Sequence, residues 1–264
     1  LARPGRPPNH ESGIISLRHL RAGAPLRLRS LIAPGGKMLT FPLRVRAVLI
    51  DLDGTLLDTI PDLAAAANLM LAELGRPSLD EALIRTFVGK GIPNLVERLL
   101  AAGSQHRAGT DQHARALEVY ERCYESVNGS RTSIYPGVIE GLDALRGQGF
   151  PLACVTNKSA RFTLPLLEAT GLRGYFGEVV AGDALPRKKP APDQLLHACV
   201  KLGVAPREML MIGDSVNDAQ AARAAGCPVF CVTYGYNEGQ DVRLLDVDAI
   251  VDSLPEAARL VRKA

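Results

Sequence analysis

The chain has 264 residues, 47% of them hydrophobic and 22% charged, with a formal net charge of +3. That length can bury a sizeable core in one large domain or two unequal ones, and no apolar run approaches a bilayer span, which excludes a transmembrane helix. The charge is uneven: residues 1–37 hold seven basic residues against Glu11 alone, so the rest of the chain stands at −3 and gives no general case for nucleic-acid binding.

Residues 1–37 form a basic leader rich in Pro, Gly and Arg, without the continuous apolar stretch of a secretory signal. It is expected to be disordered or not native, with Met38 a sensible start. Residues 45–50 form the first apolar strand, and residues 60–133 then carry helical periodicity and no convincing strand. In that block Leu63, Ala67, Met70, Leu71 and Leu74 recur at helical spacing, as do Leu95, Val96, Leu99 and Leu100, and Leu117, Tyr120, Tyr124 and Val127. Thr59 and Asp62 with Pro61 between them read as a helix start. Further strands are expected at 151–155, 178–181, 209–212, 228–232 and 249–251, with helices at 138–146, 160–170, 194–202, 218–225 and 255–262. This alternation is the pattern of a parallel sheet covered on both faces. The expected fold is therefore α/β, a Rossmann-like three-layer core (38–59 and 134–264) with a helical cap (60–133) inserted after the first strand. Five cysteines, odd in number and without paired CxxC spacing, read as free buried thiols in a reducing cytoplasm.

The chemistry gathers at strand ends. The apolar run 47–50 stops at Asp51, Asp53, Gly54 and Thr55, and side chains two apart on a strand share a face. Two carboxylates that close call for a metal, a nearby lysine or a raised pKa. The second strand ends in Thr156, Asn157 and Lys158, a hydroxyl and amides at a helix start where an anion is favoured. Lys189 precedes Pro190, which stiffens its connection toward an extended form. A further strand ends in Gly213 and Asp214, with Asp218 one helical turn on. These endings lie together at the carboxyl edge of the sheet, where open α/β sheets bind ligands.

The set Asp51-Leu52-Asp53-Gly54-Thr55, Thr156, Lys189 and Gly213-Asp214 with Asp218 resembles the haloacid dehalogenase superfamily, from about Arg46 to the C-terminus. The resemblance implies that Asp51 is the nucleophile forming an aspartyl phosphate, and that Asp53 protonates the leaving alkoxide and then activates water. It implies Mg²⁺ held by the Asp51 carboxylate, the backbone carbonyl of Asp53 and Asp214, with Asp218 in or near the site; oxygen-only ligands favour magnesium over zinc. Thr156, Lys189 and nearby amides would stabilise the transferring group, with Gly54, Thr55 and Asn157 also binding substrate. The basic turn at Arg85 and Lys90 could reach the far end of a small acid. With the segment from Val232 to Gly239, that turn is similar to phosphoglycolate phosphatases, which hydrolyse 2-phosphoglycolate. The implied partner is a small phosphorylated metabolite, with no nucleic acid or membrane, and the protein a cytoplasmic monomer or homodimer. A sugar-phosphate phosphatase or phosphomutase is the nearest alternative. A receiver-type signalling domain is more remote, given the helical insertion and the Asp53-Gly54-Thr55 sequence.

Overall fold

The computed structural model describes residues 31–32, 38–102 and 109–264. All of the leader except Leu31–Ile32 lies outside the described residues. Strand β1 (Leu31–Ile32) pairs antiparallel with β2 (Met38–Leu39), and β3 (Leu43–Val45) and β4 (Ala47–Ile50) follow. The strand expected at 45–50 thus divides at Arg46, whose amide donates to the Glu208 carbonyl at 2.7 Å instead of continuing one ladder.

Next comes a two-residue strand, β5 (Leu57–Asp58), and then four helices: α1 (Ile60–Glu73), α2 (Glu81–Arg85), α3 (Ile92–Ala101) and α4 (Thr110–Val127). Pro61 sits in the first turn of α1, where its missing N–H costs nothing. Strand β6 (Ser133–Ile134) then pairs antiparallel with β5, so the helical segment leaves and rejoins the chain at one small ladder. This pairing was not anticipated, because two residues are too few to show an alternation. Leu63, Met70, Leu95, Leu99, Tyr120 and Tyr124 pack into a hydrophobic cluster of the four helices, joined by Phe162 and Tyr236 from outside them.

The remaining elements alternate: α5 (Val138–Gly147), β7 (Leu152–Val155), α6 (Ala160–Ala169), β8 (Glu178–Val180), α7 (Asp193–Leu202), β9 (Met209–Gly213), α8 (Val216–Ala225), β10 (Val229–Val232), β11 (Ala249–Val251), α9 (Leu254–Arg259) and β12 (Val261–Lys263). The main sheet is parallel, in the order β11-β10-β9-β4-β7-β8. Its strands are buried on both faces, which is why they read as unbroken apolar runs. Val48, Ile50, Leu152, Cys154, Leu210 and Ile212 face one core with side chains of α5 and α9, while Leu49, Ala153, Val155 and Met211 face the other with α7 and α8. The α/β three-layer arrangement is as expected. The helix expected at 255–262 stops at Arg259, because 261–263 pair parallel with β3 and Leu260 accepts from the Leu43 amide at 2.7 Å. No helix of the described residues is long and apolar enough to cross a membrane.

Register sets up the site. Ile50 lies opposite both Cys154 and Ile212, so the chain leaves β4 flanked by the carboxyl ends of β7 and β9. The chain runs from β4 outward to β7 and β8, then crosses to β9 on the other side. That reversal opens a crevice above β4.

Asp62 ties the two ends of the helical segment together. Its fully buried carboxylate accepts from the amides of Gly129 (2.9 Å), Arg131 (2.8 Å) and Thr132 (3.0 Å) and from the Thr132 hydroxyl (2.7 Å). Asp62→Ala leaves those donors without a partner and is expected to cost about 3 kcal/mol, read as a lower urea midpoint at unchanged slope.

Candidate active site

Asp51 is the first residue beyond β4, and its amide still donates to the Ile212 carbonyl at 2.9 Å. Asp214 follows β9 and Thr156 follows β7, so the register places them on either side of Asp51. Lys189 reaches this centre from the loop before α7. Its buried ammonium lies 2.8 Å from Asp51 Oδ1, 2.7 Å from Asp218 Oδ1 and 2.8 Å from the Val155 carbonyl. All three of its protons are thereby used. Burial works against its charged form, but Asp218 and Asp51 outweigh it and raise the ammonium pKa.

One oxygen each from Asp51, Asp214 and Asp218 lie within 4.8 Å of one another. Burial pushes the Asp51 carboxyl well above the usual carboxylate range; Lys189 opposes the shift and Asp218 and Asp214 add to it. Asp214 is pushed up to about 7, by burial and then by Asp218, against the Tyr236 amide and Lys189. That amide donates to Asp214 Oδ2 at 2.6 Å, while Oδ1 accepts from the Thr55 hydroxyl at 3.4 Å. With three carboxyl groups and one ammonium, full ionisation would leave two negative charges in a buried, oxygen-lined space. The donor set and its charge fit a divalent cation. The backbone is shaped around the Asp214 side chain: a Cβ at Gly54 (φ +85°) would collide with Asp214 Oδ2, and one at Gly235 with Asp214 Cβ.

Several site residues stand differently from expectation. Asp53 lies past the ladder, which stops at Ile50 before the chain turns, with the Leu52 carbonyl accepting from the Leu56 and Leu57 amides at 3.0 Å each, and it lines the same cleft as Asp51. The Asp53 carboxylate lies outside the acidic cluster and pairs with the Thr59 hydroxyl at 2.6 Å and Lys158 Nζ at 3.1 Å. Asp218 has both oxygens engaged: Oδ1 with Lys189, and Oδ2 with the Ser215 hydroxyl (2.7 Å) and the amides of Ser215 (3.2 Å) and Asp214 (3.3 Å). It fixes Lys189 and starts α8 as half of a capping box, while one of its oxygens still lies within the acidic cluster. Asn157 donates to the carbonyls of Gly89 and Lys189, both at 2.8 Å, and so braces the helical segment against the lysine loop.

Arg85 and Lys90 do not line the cleft. Arg85 donates to the carbonyls of Tyr234 (3.1 Å) and Gly235 (3.2 Å) and lies over the Tyr236 ring. Lys90 pairs with Glu238 at 2.8 Å, beside Arg98. The loop after β10 supplies acceptors at the seam, and these draw both cations away from the centre.

The helical segment instead offers the cleft apolar side chains, Leu63, Val88, Ile92 and Leu95, facing Asp51, Thr156 and Lys189. About 40 Å³ is open to the centre of a water there, room for a small ligand. Sequence reading passed over three residues of this wall. Lys158, in the quoted Thr156-Asn157-Lys158 run, is buried between Asp53 and the Tyr124 hydroxyl (2.8 Å). Tyr236 bonds Asp214 through its amide, and its hydroxyl accepts from the Thr59 amide at 2.8 Å. Asn217 is buried in the wall with its amide nitrogen unpartnered. Only the Lys158 signal was visible in advance, as a basic residue just past a strand end.

A family model described as haloacid dehalogenase-like hydrolase matches residues 45–226. The chain is 58% identical over 224 residues to a phosphoglycolate phosphatase of Nitrosospira multiformis, covering 85% of this chain and 99% of that protein. It is 52% identical over 227 residues to one of Thiobacillus denitrificans, covering 86% and 100%. A crystal structure titled as a predicted phosphoglycolate phosphatase from Haemophilus somnus superposes with a TM-score of 0.75 at 33% identity, covering 80% of this chain and 96% of that one.

Two outcomes follow from the geometry. Exposed ion pairs contribute about 0–1 kcal/mol, so Lys90→Ala is expected to change KM by less than about fivefold in steady-state assays. Asp214 binds its proton more tightly folded than unfolded, so its contribution to stability is greatest at low pH and is lost as pH rises from about 4 through about 7, and burial shifts Asp51 in the same direction. Metal-stripped protein should therefore melt lower at pH 8 than at pH 5, and an added divalent cation should raise Tm more at pH 8.

Proposed function

Because the chain belongs to the haloacid dehalogenase-like hydrolases and is a phosphoric monoester hydrolase, we propose that it hydrolyses 2-phosphoglycolate to glycolate and phosphate through an aspartyl phosphate on Asp51. The observation that carries this reading is the placement of Asp51 beside Lys189 and between Asp214 and Thr156, under a small cleft with an apolar roof. Asp51 Oδ1 is held by Lys189, which aims the carboxylate as a nucleophile and spreads its charge. An oxygen of Asp51 attacks phosphorus as the bond to the glycolate oxygen breaks, and Asp53 gives that oxygen its proton. Asp53, held by Thr59 and Lys158, then takes a proton from water, whose oxygen displaces Asp51 from phosphorus and frees inorganic phosphate.

The Asp51 carboxylate, the Asp53 carbonyl and Asp214 would hold Mg²⁺, the divalent cation that such oxygen donors suit. When bound, it supplies positive charge against the oxygens of the transferring phosphoryl group. Thr156 and Lys189 add hydrogen-bond donors on the same side. Residues 60–133 act as a cap in this reading, clasped by Asp62 and seated by Arg85, Lys90 and Asn157 at the seam. The apolar wall of the cap excludes water and has little to offer the hydroxyls of a sugar. The unpartnered Asn217 nitrogen is a donor within the cleft for a small acid's carboxylate. Five free cysteines accord with a cytoplasmic enzyme.

Asp51→Asn should fold normally and lose at least about 1,000-fold in kcat. Wild-type turnover should require an added divalent cation, with a higher kcat/KM for 2-phosphoglycolate than for any member of a sugar-phosphate panel. Equal rates across the panel would remove the substrate assignment, and full turnover by Asp51→Asn would remove the mechanism.

A further inference from the structure

The edge of the sheet opposite the active site carries a second concavity of about 520 Å³. It lies between β3, β12, the turn Pro206–Glu208 and the connection from α8 to β10. Four guanidinium side chains line it: Arg44, Arg207, Arg223 and Arg262. Arg223 is neutralised by Asp248 at 2.8 Å and Asp246 at 3.1 Å. The other three form no ion pair with any of the described residues. The neighbouring Arg46 shows the contrast, for it has Glu208 at 3.6 Å.

Register makes the arrangement unusual. Arg262 of β12 is the direct partner of Arg44 on β3, in a short parallel pair where both side chains face the same groove. Like charges directly opposite on paired strands are destabilising. An isolated two-stranded edge gains nothing for its own stability from two unpaired guanidinium groups, and a third approaches from the adjacent turn. All three are open to solvent, where a small anion can reach them together. Guanidinium forks match phosphate oxygens in pairs, and three uncompensated positive charges match a diphosphate better than a single phosphate group. The groove is bounded by Thr40 and Pro228, and residues 38–264 carry a net charge of −3. Both facts favour a small compact anion over an extended nucleic acid.

We propose that this groove is a binding site for a small diphosphate-bearing anion, separate from the phosphatase centre. The probe is inorganic pyrophosphate, titrated into the 264-residue protein in EDTA at fixed ionic strength, with Tm as the readout. Wild-type Tm should rise saturably, and the half-saturating concentration should increase at least about tenfold in the Arg44→Gln/Arg262→Gln variant. Phosphatase turnover of that variant should equal wild type, and without anion it should melt no lower, since the like-charged pair is gone. If the double variant does not fold, Arg207→Gln carries the same expectation for pyrophosphate. Absence of a wild-type shift, unchanged half-saturation in the variants, or an equal shift from sulfate at matched ionic strength overturns the assignment.

Discussion

The buried ammonium of Lys189 is the interaction on which the site rests. A cation out of water is costly unless every proton finds an acceptor, and Lys189 satisfies this with Asp51, Asp218 and the Val155 carbonyl. Those acceptors come from three parts of the chain, the ends of β4 and β7 and the first turn of α8. The lysine fixes how these ends sit relative to one another, and its loop is held in turn by Asn157 and by Gln194, whose side chain accepts from the Lys189 amide at 3.0 Å. One positive charge among three carboxylates leaves the centre short of cation, and in the proposed reaction a divalent ion would make up that deficit.

Around this centre two hydrophobic systems meet. The sheet cores are rigid because their strands are covered on both faces, and the helical segment has a separate cluster of its own. Between them, beside the apolar contacts of Phe162 and Tyr236, lie specific polar ones. Tyr236 joins Asp214 to the entry of α1, Lys158 joins Asp53 to Tyr124, and Arg85 and Lys90 grip the loop after β10. The carboxyl groups at the strand ends are thereby tied to the helical segment. A seam of hydrogen bonds can open at less cost than a shared apolar core, and ligand exchange at a covered site needs such opening.

How much of this was legible in the sequence depended on how local the signal was. The strand ends carrying Asp51, Thr156 and Asp214 stood out because parallel strands buried on both faces leave unbroken apolar runs that stop at the same edge. Lys189 stood out because Pro190 marks its loop. The partners of Asp53, Thr59 and Lys158, did not, because the ladder ends before Asp53 and the turn at Leu52 sets its surroundings. Arg85 and Lys90 were read as facing substrate because their partners, Tyr234, Gly235 and Glu238, lie about 150 residues away and no local pattern announces them. The strand at 261–263 was hidden for a similar reason: its residues continue a helical pattern until pairing with β3 takes them.

The pairing of β5 with β6 has a consequence for how such a molecule can vary. Two residues on each side bring the start and finish of a long helical excursion to adjacent backbone positions, about 5 Å apart across the ladder. Everything beyond that junction can lengthen, shorten or be exchanged while β4 and β7 keep their alignment. Substrate choice can therefore diversify on a catalytic frame that stays unchanged.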